Sequence, residues 1–135
     1  MAIKTMSTAI LCVIIAGFLP LIAAGIAKFG PQENNSSDPF DNHQPRAWLA
    51  KQTGMRARAN AAQANTFESL PFFYIAITLA LMLDTPIEQV NALAIAYVLA
   101  RVTYLICYLK DWANVRSLMW LIGFGCTVAL FFQIP

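Results

Sequence analysis

Four apolar stretches, each as long as a bilayer is thick, leave this chain few ways to fold. The first runs over about 5–27, and the third and fourth over about 87–109 and 115–134. The second is the apolar end of a helix expected over about 47–83, whose first turns are polar and project into water. At about 1.5 Å per residue, some twenty helical residues cross the roughly 30 Å hydrocarbon core. Charged residues make up 12% of the 135, about half the usual share of a soluble domain, roughly 25%. The expectation is a single all-α membrane domain over 1–135, a four-transmembrane-helix bundle, with no room for a separate soluble module.

Local signals set the boundaries. Lys4 and Lys28 flank the first stretch. It is longer than the roughly 7–15 apolar residues of a signal peptide, so a retained helix is expected, with Pro20 a candidate kink. The polar segment from Phe29 to Arg46 reads as loop, with Gly30-Pro31, Asp38-Pro39 and Gln44-Pro45 as turns. Asn34 and Asn35 fit the N-x-[ST] pattern, which is too common to carry weight. Pro71 is a second candidate kink, and Asp84-Thr85-Pro86 and Lys110-Asp111 mark tight connections. Lys28, Arg46, Lys51, Arg56 and Arg58 gather in the first loop and the start of the second helix, and Lys110 and Arg116 in the third loop. The second loop holds only Asp84 and Glu88. By the positive-inside rule, loops one and three face the cytoplasm and both termini face outward.

Several chemistries are disfavoured. A net charge of +2 gives no reason to expect nucleic acid as a partner. Cys12, Cys107 and Cys126 lie singly in apolar stretches and read as buried small hydrophobes. His43 has no ligand neighbours, so no metal is expected.

Ionisable groups inside a span cost roughly 2.5–3.5 kcal/mol on insertion scales, so each needs a partner or a polar cavity. On the second helix Arg58, Ala61, Asn65, Glu68 and Phe72 share one face, with Gln63 to one side. On the third, Arg101, Tyr104 and Tyr108 share a face, and Arg116 opens the fourth. Together they form a ring of cations, one carboxylate, amides and phenols toward the cytoplasmic half of the bundle. Arginine forks hold carboxylates in a bidentate way, and Glu68 suits an ammonium group, so the ring fits a small zwitterion. The competing reading makes Glu68 and Arg101 a buried ion pair that only fixes packing, with Asn65 and the tyrosines as interhelical glue.

These motifs resemble a family. The run Arg58-Ala59-Asn60-Ala61-Ala62-Gln63-Ala64-Asn65-Thr66-Phe67-Glu68-Ser69-Leu70-Pro71 is similar to the second-helix signature of the membrane-associated proteins in eicosanoid and glutathione metabolism (MAPEG). Arg101-Val102-Thr103-Tyr104 with Tyr108 is similar to the third-helix signature, and Arg116-Ser117-Leu118 to the opening of helix four. The similarity covers essentially the whole chain, and Asp41-Asn42-His43-Gln44-Pro45-Arg46 looks like a bacterial branch, hence the inner membrane. The resemblance implies a homotrimer with glutathione, a co-substrate, bound between neighbouring subunits. Asn65 and Glu68, on the second-helix face that includes Arg58, and Arg101, Tyr104 and Tyr108 on the third helix would hold its charged ends. Gln63 would lie near the glycine end, and Lys28 would stand where the family often has a basic residue. Arg116 would face the sulfur and favour the thiolate, which attacks a lipophilic small molecule dissolved in the lipid. Ala61 stands where the eicosanoid-forming members carry a second arginine. Some members are non-catalytic trimers that bind a lipid or partner, and this is the alternative reading. A small multidrug transporter is a third; its membrane glutamate lies in the first helix, where this chain has no acidic residue.

Overall fold

The structure is a computed structural model that describes residues 7–33 and 38–135. Thr5, where the first span is expected to begin, lies outside the described residues, as do Lys4, Asn34 and Asn35. Five helices follow one another: α1 (Thr8–Phe29), α2 (Pro45–Ala50), α3 (Gly54–Met82), α4 (Ile87–Leu109) and α5 (Ala113–Phe132). All but α2 are long and apolar enough to cross a membrane, so the chain is an all-α, four-span membrane protein. α1 packs on α3 and α4, α5 packs on α4 and α3, and the α3–α4 pair occupies the middle.

Small residues let the helices approach. The buried face of α1 carries Ala9, Cys12, Ala16, Leu19, Ala23 and Ala27 at helical spacing. Lipid is as apolar as leucine, so close backbone packing rather than hydrophobic contrast holds such helices together. The large side chains turn outward instead: Phe18, Leu21, Ile22, Leu99, Leu118 and Leu121 are all more than half exposed on the lone chain, as lipid contact requires. Both prolines sit inside unbroken helices, Pro20 in α1 and Pro71 in α3.

Two of the connections use one device. Asp84 and Asp111 adopt positive φ, 55° and 58°. The amide of the residue after each reaches back to a carbonyl of the preceding turn, Thr85 to Ala80 at 3.1 Å and Trp112 to Cys107 at 2.9 Å. This is the Schellman arrangement, with aspartate in the left-handed position where glycine is commoner. It reverses the chain within four residues after α3 and three after α4, and α4 and α5 each pack on the helix before them.

The helix expected over 47–83 is divided. α2 ends at Ala50, and α3 begins at Gly54, whose φ is +60°. A residue in that conformation cannot continue a right-handed helix. The space a Cβ would need at Gly54 is filled by the Glu33 side chain, which accepts from the Met55 amide at 3.1 Å. The first loop is thereby tied to the start of α3.

One close approach between α1 and α3 is specific enough to test. The Tyr74 hydroxyl donates to the Val13 carbonyl at 2.9 Å, and a Cβ on Gly17 would lie 2.8 Å from that oxygen. Gly17→Ala is expected to displace the hydroxyl and destabilise the chain by about 1–3 kcal/mol. In a Tyr74→Phe background the same change should cost far less, because the obstructing atom is gone. A double-mutant cycle by denaturant unfolding in detergent checks this; equal costs in both backgrounds would contradict the contact.

Candidate functional site

Arg101 is the most deeply buried charge among the described residues, 2% exposed in the middle of α4. Its Nη2 donates to Asn65 Oδ1 at 3.1 Å and to Thr66 Oγ1 at 2.9 Å. Thr66 in turn donates to the Ala62 carbonyl at 2.7 Å, so its hydroxyl is oriented to accept. Gly123 of α5 packs on the arginine stem, where a Cβ would stand 3.4 Å from Arg101 Cδ. One buried atom of the guanidinium, Nε, has no hydrogen-bond partner. A buried donor left unmade is costly and marks a place where a ligand can help.

From Arg101 a ladder of cations and rings runs toward the α4–α5 turn. The guanidinium carbon sits 4.1 Å from the centroid of the Tyr104 ring. Tyr104 meets Tyr108 edge to face, with centroids 5.5 Å apart. The Arg116 guanidinium stands 4.3 Å over the Tyr108 ring. Cation–π contact gives each charge a favourable neighbour without consuming its hydrogen-bond donors. Sequence spacing explains the order: Arg101, Tyr104 and Tyr108 fall on one helical face, and the Asp111 turn folds Arg116 back beside the last of them.

Two cavities of about 260 Å³ each open along this ladder. One is largely apolar and joins Glu68, Arg101 and Ser69 to Phe72 and Phe124. The other is more polar and is bounded by Tyr104, Tyr108, Arg116 and Ser117. Asn65 and Trp120 line both, so the cavities are neighbours.

Of the residues expected at the site, six are thus brought together: Asn65, Glu68, Arg101, Tyr104, Tyr108 and Arg116. Three are not. Arg58 is engaged at the end of the bundle, where its Nη2 bonds Glu33 at 2.7 Å and Nε and Nη2 both donate to the Leu109 carbonyl. Lys28 lies 5.0 Å over the Phe40 ring in a separate hollow that Arg56 also lines. Gln63 is half-buried and lines neither cavity. The site also includes residues that the sequence reading passed over, namely Thr66, Ser69, Tyr97, Trp120, Phe124 and Thr127. Tyr97 carried a signal, being four residues before Arg101 on the same face. It stacks on Phe73 with centroids 3.7 Å apart, and its hydroxyl meets Ser69 at 2.9 Å.

The expected alternative of a Glu68–Arg101 ion pair is not what forms. The only ion pair among the described residues joins Arg58 to Glu33, and Glu68 is exposed. Neutral acceptors on α3, one residue and two residues along from the turn below Glu68, hold Arg101 instead, and the carboxylate is left for something else.

The fold and site define a class: a four-span membrane protein with a polar, arginine-lined site beside an apolar cavity. The match of the MAPEG family model to residues 8–134 is more specific, and the chain belongs to the MAPEG family. No curated protein and no solved structure matches the chain.

The division of labour around Arg101 has a direct consequence. Thr66→Val removes an acceptor from a buried guanidinium and is expected to destabilise the chain by roughly 1.5–3 kcal/mol. Glu68→Gln should change stability by less than about 0.5 kcal/mol, as for other exposed sites. Denaturant unfolding of both variants checks this. If Glu68→Gln costs as much as Thr66→Val, the carboxylate is a structural partner after all.

Proposed function

We propose that the protein is an integral-membrane glutathione-dependent transferase or peroxidase acting on lipophilic electrophiles. The observation that supports this best is the ladder from Arg101 to Arg116, which lines a polar cavity and an apolar one sharing a wall. Glutathione carries two carboxylates, one ammonium group and one thiol. In this reading Arg101, with its unpartnered Nε, and Asn65 take a carboxylate; Glu68 takes the ammonium; Tyr104 and Tyr108 donate to the peptide. Arg116 faces the sulfur. A thiol of pKa about 8.5 is mostly protonated at neutral pH, and a guanidinium beside it favours the thiolate. Lys28, Arg58 and Gln63 contact the tripeptide only from a neighbouring subunit or after a rearrangement of the first loop. The chain works as a homotrimer in a bacterial inner membrane, termini outward, with one site per subunit interface.

A second reading is favoured by one observation. Ala61 is exposed on α3 and offers no charge, so a carboxylate clamp present in eicosanoid-forming members is lacking. In this reading the trimer binds a lipid or a partner without turnover.

The two separate on the thiol. Titration of thiolate absorbance with glutathione bound should show a midpoint well below that of free glutathione. Arg116→Ala should return the midpoint toward about 8.5 while leaving binding nearly intact, because only the charged form loses its neighbour. Glu68→Ala and Arg101→Ala should each weaken glutathione binding about tenfold, as expected for charge-assisted bonds. Superimposable titrations for parent and Arg116→Ala would remove Arg116 from the chemistry. Binding without any thiolate in the parent would favour the non-catalytic reading.

A further inference from the structure

The apolar cavity is walled by aromatic rings. Trp120 and Phe124 stand one turn apart on α5, stacked with their planes 4° apart and centroids separated by 5.4 Å. Phe72 of α3 lies against Phe124 at 5.8 Å, inclined by 27°. All three rings line the cavity, and each is about two-fifths exposed. Offset stacking is one of the two arrangements aromatic pairs prefer, and here the stacked rings lie in the cavity wall with part of their surface open. The base of the cavity is polar, with the Ser69–Tyr97 hydroxyl pair and Arg101, whose Nε is buried without a partner. Trp120 forms part of this cavity and of the one beside Arg116, so a molecule lying on its ring is next to the place proposed for the sulfur.

We propose that Phe72, Trp120 and Phe124 form the acceptor subsite and select flat aromatic electrophiles over aliphatic ones, the ring of the acceptor stacking on Trp120 and Phe124. The inference rests on the glutathione reaction proposed above and names its substrate class. Size supports it. A cavity of about 260 Å³ exceeds the roughly 150 Å³ that suffices for benzene. It holds a substituted ring or a fused pair, not the length of a membrane acyl chain. Shape supports it as well, because a flat ring gains offset stacking on these faces and a puckered ring gains only dispersion. For an aryl enone the step balances without a leaving group. The thiolate sulfur gives its electron pair to the β-carbon, forming the C–S bond. The C=C π pair moves to the carbonyl oxygen as an enolate, and water then supplies a proton to the α-carbon. The thiol's own proton has already gone to solvent.

The test uses a matched pair, 4-phenylbut-3-en-2-one and its 4-cyclohexyl counterpart, with the full-length protein in nanodiscs. Each kcat/KM is divided by the rate constant of the uncatalysed reaction with glutathione, which removes the difference in intrinsic reactivity. The phenyl compound is expected to be preferred about fivefold or more, the order of one or two stacked rings. Phe124→Leu and Trp120→Leu should each bring the ratio toward one. A second arm needs no turnover: retention of the saturated ketones, 4-phenyl- and 4-cyclohexylbutan-2-one, by protein-loaded over empty nanodiscs, in the absence of glutathione. The phenyl ketone should be retained more, and the excess should fall in Phe124→Leu. If no thiolate forms but this retention preference holds, the glutathione reading fails and the aromatic subsite stands. If thiolate and turnover are present but neither the rate ratio nor retention favours the phenyl member, the subsite is wrong while the glutathione reading survives. A preference unchanged in both leucine variants overturns the assignment to these residues.

Discussion

The candidate site is arranged around one awkward fact, a guanidinium buried in the middle of a membrane span. An unpaired charge there is costly, and the chain offsets that cost with two neutral oxygens and a ring rather than with a carboxylate. Asn65 and Thr66 hold one nitrogen of Arg101, and Tyr104 covers the π face. The hydrogen bonds join α3 to α4 at mid-bundle. α5 packs over the arginine stem at Gly123. Because the charge is solvated but not neutralised, the site remains positive, and Glu68 remains available at its edge. The same arrangement that makes the burial tolerable leaves a buried donor, Arg101 Nε, without a partner inside the chain.

The order of chemistry along the ladder follows from helical geometry. Residues at i, i+3 and i+7 rise about 10 Å along one face, which is how Arg101, Tyr104 and Tyr108 extend from mid-bundle to the turn. The left-handed Asp111 then returns the chain so that Arg116 caps the series. The two arginines thus stand at opposite ends of a pair of phenol rings, a separation suited to a ligand with a carboxylate at one end and a reactive group further along. The aromatic wall of Phe72, Trp120 and Phe124 lies beside this line, and Trp120 lines the cavities on both sides of it.

Much of this was legible in the residues themselves. Four apolar runs specify four spans, and aspartates at the tight connections mark the reversals. The stripe on the third span, together with Asn65 and Glu68 on the second, marks the site. What could not be read is what depends on contacts between distant segments. Arg58 shares a helical face with Asn65, but seven residues place it about 10 Å further along the axis, where Glu33 of the first loop and the end of α4 engage it. Periodicity fixes the face and says nothing of the depth. The break before α3 depends on Gly54, whose positive φ accommodates the Glu33 side chain; a run of good helix formers on both sides concealed it. Thr66 stood beside Asn65 in the motif, but its role becomes visible only when α4 brings Arg101 within 2.9 Å. The supposed ion pair failed for the same reason. Opposite charges on two helices suggest partnership, and only the packed helices show that Asn65 and Thr66, not Glu68, meet the guanidinium's donors.

The central claim is that Arg101 carries a donor the protein itself leaves unused, and that a ligand carboxylate takes it. Arginine side-chain nitrogen NMR on the protein in nanodiscs, with Arg101 assigned by substitution, reads that atom directly. The account predicts that glutathione shifts the Arg101 Nε–H resonance downfield and slows its exchange with water, and that a glutathione ester lacking free carboxylates does neither. A resonance that stays unmoved while glutathione binds would contradict it.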